Sequence, residues 1–445
     1  MKKRISILVG KVLLKLGSLI GRGSSLPGEI ALKIDPNLIN ELKMPDKIIA
    51  VTGSSGKGSI TGMIASILRD NGYSVAHNDK GSNLDAGITS MLIDNSTFSG
   101  KIKKDVIVVE IDERYAKYVF PQLKPKYVII SNITRDQPPR QRHFDFVYDE
   151  IKKSLTSSMH LILNADDPML QKFTLNKEYK VSYYSVSKNK NSYFESIFEN
   201  LNLSHCPICH EKLVYDYYHF EELGNYHCPK CKFKKPMADH VATNIDYIAS
   251  KITIGKNLRM HIPYQTLYCV YNTLAAFTIC SLLGIEDEKI ASSINNIAGN
   301  TKNLSEYIIN DRKVHVLNNK NENSSTFNQS LLYVDRDNSK KTIVIGWKEI
   351  SRRYEFDDLS WLYDIDFEIL KHHDIDKIIC VGIHKYDIAL RIKYAGINEN
   401  KIKTFTSLDE AIPYIKAKTT GNIYGILNFD YVEPFNTLMK GSDTK

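Results

Sequence analysis

The stretch Ile48-Ile49-Ala50-Val51-Thr52-Gly53-Ser54-Ser55-Gly56-Lys57-Gly58-Ser59-Ile60-Thr61 restricts the possible folds of this chain more than any other. An apolar β-type run ends in a glycine-rich turn carrying a lysine, and helix-like sequence follows. Backbone N–H groups, a cation and a helix N-terminus then converge on one anion. This is a phosphate cradle, and it calls for a strand–turn–helix unit in an α/β sheet. The pattern is Gly-x-x-Gly-Lys-x-Ser, shorter than a full P-loop, because Val51 stands where the upstream glycine would be. Gly53, Ser54, Ser55, Gly56, Lys57, Gly58 and Ser59 are the candidate phosphate-binding residues.

Buried-strand runs recur around this unit at Asp105 to Ile111, Tyr127 to Ile130 and Leu161 to Leu163, separated by helical segments. That alternation predicts a parallel, doubly wound α/β sheet. Glu110 closes one of these runs, where ligand-facing residues of open α/β sheets gather, and a carboxylate there suits Mg²⁺ beside phosphates. The plainer reading of Glu110-Ile111-Asp112-Glu113 is a solvated acidic turn. After Ala298-Gly299-Asn300, a plausible hinge, further strand runs at Val314, Thr342, Ile378 and Ile423 alternate with helical segments and predict a second, Rossmann-like α/β domain. The expected domains are a helical arm over 1–40, a central phosphate-binding domain over 41–297 and a C-terminal α/β domain over 298–445.

The central domain carries an insertion at 203–234. Cys206-Pro207-Ile208-Cys209 and Cys228-Pro229-Lys230-Cys231 are separated by eighteen residues, the spacing of a Cys₄ zinc ribbon. Four thiolates leave no open position for water, so the expected site is structural. Cys269, Cys280 and Cys380 lie isolated in apolar surroundings. Seven cysteines with paired spacing point to metal binding in a reducing compartment, and the expected location is the cytoplasm.

The charge of +8, from 59 basic against 51 acidic residues, is spread along the sequence. It suits an anionic substrate or simply a solvated basic surface, and no basic cluster with interleaved aromatics points to nucleic acid. Near the start, Ile5, Leu8, Val12, Leu16 and Leu19 recur at helical spacing, with Lys11 and Lys15 on another face. The expectation is an amphipathic helix packed on the protein's own core; peripheral contact with an inner membrane face is the alternative. The run is too interrupted by lysines for a secretory signal or a membrane span.

Gly-Ser-Ser-Gly-Lys-Gly-Ser resembles the ATP loop of the Mur ligase superfamily, which includes the folylpolyglutamate synthases. The resemblance narrows with Leu26-Pro27-Gly28, Gly81-Ser82-Asn83, Glu110 to Glu113, Thr134-Arg135-Asp136-Gln137, Leu163 to Pro168, the Cys₄ ribbon, Tyr271 to Ala276 and Asp358-Leu359-Ser360-Trp361. These occur in the order seen in the Mur-ligase-like subunits of the lipid II isoglutaminyl synthases, over nearly the whole chain. The resemblance implies a Mur ligase-like central ATPase domain with ATP and Mg²⁺, and structural Zn²⁺ on the ribbon. The implied partners are a GatD-type glutaminase and lipid II. The implied reaction is activation of the D-glutamate α-carboxylate of the lipid II stem peptide as an acyl phosphate, and its amidation to D-isoglutamine by ammonia from the glutaminase. Lys57, Glu110 and Asp358 would be catalytic. Asn83, Gln137 and Asn272 would join the loop in binding the nucleotide, and Ser59 with Glu110 would hold Mg²⁺. Asp358 matches the aspartate that completes the partner's Cys–His site; the plainer reading is an N-cap for a helix beginning near Leu359.

Several positions depart from the family pattern. The family's Arg-Asp-Gln-Met-Asp-Arg reads Arg135-Asp136-Gln137-Pro138-Pro139-Arg140, an asparagine is replaced by Cys269, and Asn-Gly-Arg becomes Asn300-Thr301-Lys302. Lys-Asn-Pro-Ala-Gly is reduced to Lys320-Asn321-Glu322, and Trp347 to Asp357 replace the segment before Asp358. Lysine does not replace arginine where a planar fork binds a phosphate. The alternative function is therefore a divergent nucleotide-binding paralogue with an altered substrate or a regulatory, partner-binding role.

Overall fold

The computed structural model describes residues 1–19, 25–79, 82–134, 143–247, 249–263, 265–300, 304–317, 323–347 and 359–441. The chain divides into two compact units. The first comprises 1–134, 144–194 and 202–300; the second comprises 135–143, 195–201 and 301–445.

In the first unit the strands are β1 (Lys47–Thr52), β2 (Val75–His77), β3 (Val106–Glu110), β4 (Tyr127–Ile130), β5 (His160–Asn164), β6 (Lys180–Val186), β7 (Val214–Phe220), β8 (Leu223–His227), β9 (His240–Asp246), β10 (Lys251–Ile254) and β11 (Leu258–His261). Nine of them form one sheet in the order β11-β10-β9-β6-β5-β4-β1-β3-β2, and β7 and β8 form a separate hairpin. The expected parallel sheet is present from β2 to β9, and β10 and β11 extend it antiparallel. Ile49, Ala50 and Val51 of β1 are fully buried, as are Val106 to Val109 of β3 and Val128 to Ile130 of β4, which explains their unbroken apolar runs. The strand order reverses at β1, whose neighbours are β3 and β4. Ligands of open α/β sheets bind at such a switch point, beyond the carboxyl ends of the strands.

The second unit holds β12 (Leu304–Ile309), β13 (Arg312–Leu317), β14 (Lys341–Trp347), β15 (Ile375–Gly382), β16 (Ile402–Phe405) and β17 (Asn422–Leu427), ordered β12-β13-β17-β14-β15-β16. Only β12 runs antiparallel to its neighbour. Trp361 is fully buried, edge-on to Trp347 with ring centroids 5.3 Å apart. The sequence around it forms a 3₁₀ turn, Ser360–Asp364, in place of the expected helix. The proposed hinge at Ala298 and Gly299 is helical, inside Asp287–Asn300, and the second unit resumes after Asn300.

The helix Lys2–Leu19 forms as expected but presents the other face inward. Ile7, Ser6 and Gly10 are buried, and a Cβ at Gly10 would stand 2.7 Å from Ile93 Cδ1, so glycine permits the close approach. Ile5, Leu8, Val12 and Leu16, expected to pack on the core, are exposed. Periodicity located an apolar stripe but could not say which face the first unit would cover. Among the described residues no helix is long and apolar enough to cross a membrane.

Candidate active site

The turn after β1 and the helix Lys57–Asp70 build the cradle. Gly53 has φ +123° and Gly56 φ +81°, conformations that exclude ordinary side chains. A Cβ at Gly53 would lie 2.5 Å from Ser131 Oγ and 2.7 Å from the Asn132 carbonyl oxygen. Gly53→Ala should therefore cost about 1–3 kcal/mol in a urea unfolding titration and weaken nucleotide binding. Unchanged stability would show that the turn relaxes.

The segment after β4 holds the turn in shape. Asn132 accepts at its backbone oxygen from Ser54 N (2.9 Å) and at Oδ1 from Ser55 N (3.0 Å), and Ser131 Oγ donates to Ser55 O at 2.6 Å. The Ser54 hydroxyl is buried and bonded to Thr134, donating to its carbonyl oxygen and accepting from its N–H, both at 2.9 Å. Lys57 Nζ donates to the carbonyl oxygens of Gly53 and Ser54 and pairs with buried Glu113 at 3.1 Å. Its ammonium is thus held over the turn.

Glu110 ends β3 opposite Val51 of β1. Its Oε1 accepts from Asn83 Nδ2 at 2.9 Å, and its Oε2 would be 3.2 Å from a Cβ at Gly58. The structure thus brings Asn83, Glu110 and Gly58 together beside the cradle. Ser59 is exposed on the next position of the helix. Asn272, on the helix Leu267–Leu282, reaches the cradle from the other side, its Oδ1 2.6 Å from where a Cβ of Gly56 would be. Cys269 is buried in that helix's first turn, with its N–H bonded to the N-cap Thr266 at 3.3 Å. Gln137, Pro138, Pro139, Lys302, Lys320 to Glu322 and Asp358 lie outside the described residues, as does the Trp347 to Asp357 segment apart from Trp347.

A polar cleft adjoins the cradle, lined by Asn132, Asn164, Asp167, Tyr268, Tyr271 and Asn272, and by Glu221, Glu222 and Leu223 from the β7–β8 hairpin. Sequence reasoning gave no role to Asn132, Glu113, Asp167, Tyr268 or the hairpin tip. Asn132 had a signal in its place two residues past a buried strand beside β1. The hairpin tip had none, because its neighbours in the cleft are remote in sequence. Asp166 anchors the wall: its carboxylate pairs with Lys235 (2.5 Å) and accepts from Tyr271 Oη (2.9 Å), and its carbonyl oxygen accepts from Gly224 N (3.0 Å).

Burial, with nearby Glu222, raises the pKa of Asp167 from 3.8 to about 8. The folded state therefore holds a proton that the unfolded state has released. The associated stability is complete below about pH 4 and is lost as pH rises toward 8. Asp167→Asn can keep the N-cap acceptor for Met169 N while removing this titration. Relative to the parent, it should gain on the order of a few kcal/mol between pH 4 and 8, read from denaturant unfolding at several pH values. Parallel pH profiles would refute the assignment.

At the ribbon, the ligand atoms of Cys206, Cys209, Cys228 and Cys231 all lie within 4.8 Å of one another. Backbone N–H groups of Ile208, Lys230 and Phe233 point at the sulfurs at 3.4–3.5 Å. Zinc–sulfur bonds of about 2.3 Å put tetrahedral sulfurs about 3.8 Å apart, so the donor set fits zinc.

A strand-to-helix phosphate cradle at a sheet switch point, with a carboxylate at the end of the neighbouring strand, is the geometry of a nucleotide-binding centre. Residues 51–280 match the Mur ligase middle domain, and the chain belongs to the Mur ligase family. Within that family it is a homologue of the MurT subunits: residues 321–431 match the MurT ligase C-terminal domain. It is 29% identical over 400 residues, 89% of each chain, to the lipid II isoglutaminyl synthase (glutamine-hydrolyzing) subunit MurT of Staphylococcus aureus. The same subunit from Streptococcus pneumoniae is 25% identical, covering 99% of this chain and 97% of its own. Among solved structures, a pseudomurein peptide ligase type C from Methanothermus fervidus superposes with a TM-score of 0.67 at 20% identity, covering 91% of this chain and 80% of that one.

Proposed function

We propose that this chain is the ATP-dependent ligase subunit of a lipid II isoglutaminyl synthase. In this reading the α-carboxylate of D-glutamate in the stem peptide attacks the γ-phosphorus of ATP and ADP leaves. Ammonia from a GatD-type glutaminase then adds to the acyl carbon and loses a proton, and phosphate departs to leave D-isoglutamine. The observation that carries the reading is the Lys57 cradle with Glu110 beside it, in a chain whose two domains match a Mur ligase middle domain and a MurT C-terminal domain.

The turn amides and Lys57 act on charge that builds up on the transferred phosphoryl group. Glu113 pairs with the ammonium and holds it in place. Glu110, oriented by Asn83, and Ser59 would hold Mg²⁺, whose charge would offset that of the phosphates. Asn272, which reaches the cradle at Gly56, would join the loop in binding the nucleotide. The four cysteines would hold zinc as a structural crosslink, and Asp358 would complete the glutaminase site of the partner. The paired cysteines, suited to a reducing compartment, support a location in the cytoplasm.

Cys269, standing for the family's asparagine beside the cleft, favours a second reading: a nucleotide-binding paralogue with little ligase activity. Co-expression with the glutaminase, followed by mass analysis of lipid II incubated with ATP and glutamine, separates them. The mass change from carboxylate to carboxamide supports the first; a stable complex that leaves lipid II unchanged supports the second.

A further inference from the structure

The first unit leaves the apolar stripe of the helix Lys2–Leu19 uncovered. At about 100° per residue, Leu8, Met1, Val12, Ile5 and Leu16 fall within an arc of about 80°, opposite the buried Ile7, Ser6 and Gly10. Ile5 is 44% exposed, Leu8 51%, Val12 50% and Leu16 54%. Arg4 borders the stripe on one side and Lys2 on the other, both exposed, and the helix contains no acidic residue. Two other cations are turned toward the protein: Lys3 Nζ donates to Glu41 O at 2.6 Å and Lys11 Nζ to Ile93 O at 2.8 Å. Lys11 also lies 5.8 Å from the ring centre of Phe98, itself 62% exposed.

We propose that this face docks on an anionic phospholipid bilayer, with the stripe in the headgroup–acyl boundary and the flanking cations among the phosphates. A narrow apolar stripe flanked by exposed cations matches a surface that is apolar below and negative above. Long basic side chains reach headgroups while their stems stay on the apolar layer. A second copy is a poor match, because self-pairing through this face would bring basic flanks together. The inference rests on the helix and holds whatever the acceptor of the ligase reaction is.

The test uses the full chain and vesicles of phosphatidylcholine alone or mixed with phosphatidylglycerol, read by co-sedimentation and by gel filtration without lipid. Binding should require phosphatidylglycerol and fall with added salt. Leu8→Gln/Val12→Gln and Lys2→Glu/Arg4→Glu should each weaken it about tenfold or more, with melting temperature and nucleotide binding unchanged. These positions are exposed, so the variants should fold. The proposal is overturned if the parent chain does not bind the mixed vesicles, or if Leu8→Gln/Val12→Gln binds them equally well. It is equally overturned if the chain forms a concentration-dependent dimer that this variant abolishes, since a second copy would then be the occupant.

Discussion

Lys57→Met is expected to lower ATP-dependent amide formation by about 10²–10³-fold, the range seen when a single preorganised charge-stabilising group is removed. The cation sits over the turn at the N-terminus of the helix Lys57–Asp70, held by two loop carbonyls and by Glu113. In the proposed mechanism it would stabilise charge that grows during phosphoryl transfer, so the loss should fall on kcat more than on KM. The substitution also takes a cation from Glu113, whose side chain is 1% exposed, and should cost about 2 kcal/mol of stability. Lys57→Met/Glu113→Gln should recover much of that stability without recovering turnover. A melting curve and a steady-state assay on both variants separate the two effects. Near-normal turnover in Lys57→Met would remove this residue from the mechanism.

If the four cysteines hold zinc as proposed, its loss should be felt in the cleft beside the cradle. Cys206 and Cys209 precede β7, Cys228 and Cys231 follow β8, and the closed end of the hairpin, Glu221 to Leu223, lines the cleft. Tyr215 Oη to Glu222 O (3.0 Å) ties β7 to the tip, Asn202 Nδ2 to Glu222 Oε1 (2.7 Å) ties the tip to the segment before the ribbon, and Cys228 N to Phe233 O (2.7 Å) closes the second cysteine knuckle. Cys206, Leu213, Tyr226, Cys228 and Phe233 form its small core. Structural zinc supplies about 10–16 kcal/mol in isolated zinc-finger peptides, far more than so small a core provides. Cys228→Ser, or removal of zinc with a chelator, should therefore melt the ribbon, read as lost amide protection from 206 to 231. Nucleotide binding should weaken about tenfold or more as the wall of the cleft is lost, equivalent to about 1.4 kcal/mol. A melted ribbon with parental nucleotide affinity would show that the hairpin tip contributes nothing to binding.

Much of the first unit was legible because its signals are local. Ile48 to Thr61 fixes strand, turn and helix through backbone requirements that only glycine meets at Gly53 and Gly56. Tyr127 to Ile130 is a strand over the expected residues because a doubly covered parallel strand is apolar on both faces. The Cys₄ set converges as its spacing predicts. Motif reasoning failed where a side chain's use depends on a distant neighbour. Ser54 belongs to the cradle motif, yet its hydroxyl is occupied by Thr134, eighty residues away. Glu113 reads as part of an acidic turn, yet it is buried against Lys57.

By itself the sequence determined that this protein has a phosphate cradle on a parallel sheet, a four-cysteine ribbon and a second α/β domain. Each is encoded by residues close together in the chain. Tertiary structure alone decided that Asn132 would brace the turn and that the ribbon's hairpin tip would line the cleft. It also decided that the apolar stripe of the helix Lys2–Leu19 would face outward. Periodicity and spacing specify what a segment can bury or bind, but the surface available to cover it is formed by residues elsewhere, and only folding brings them together.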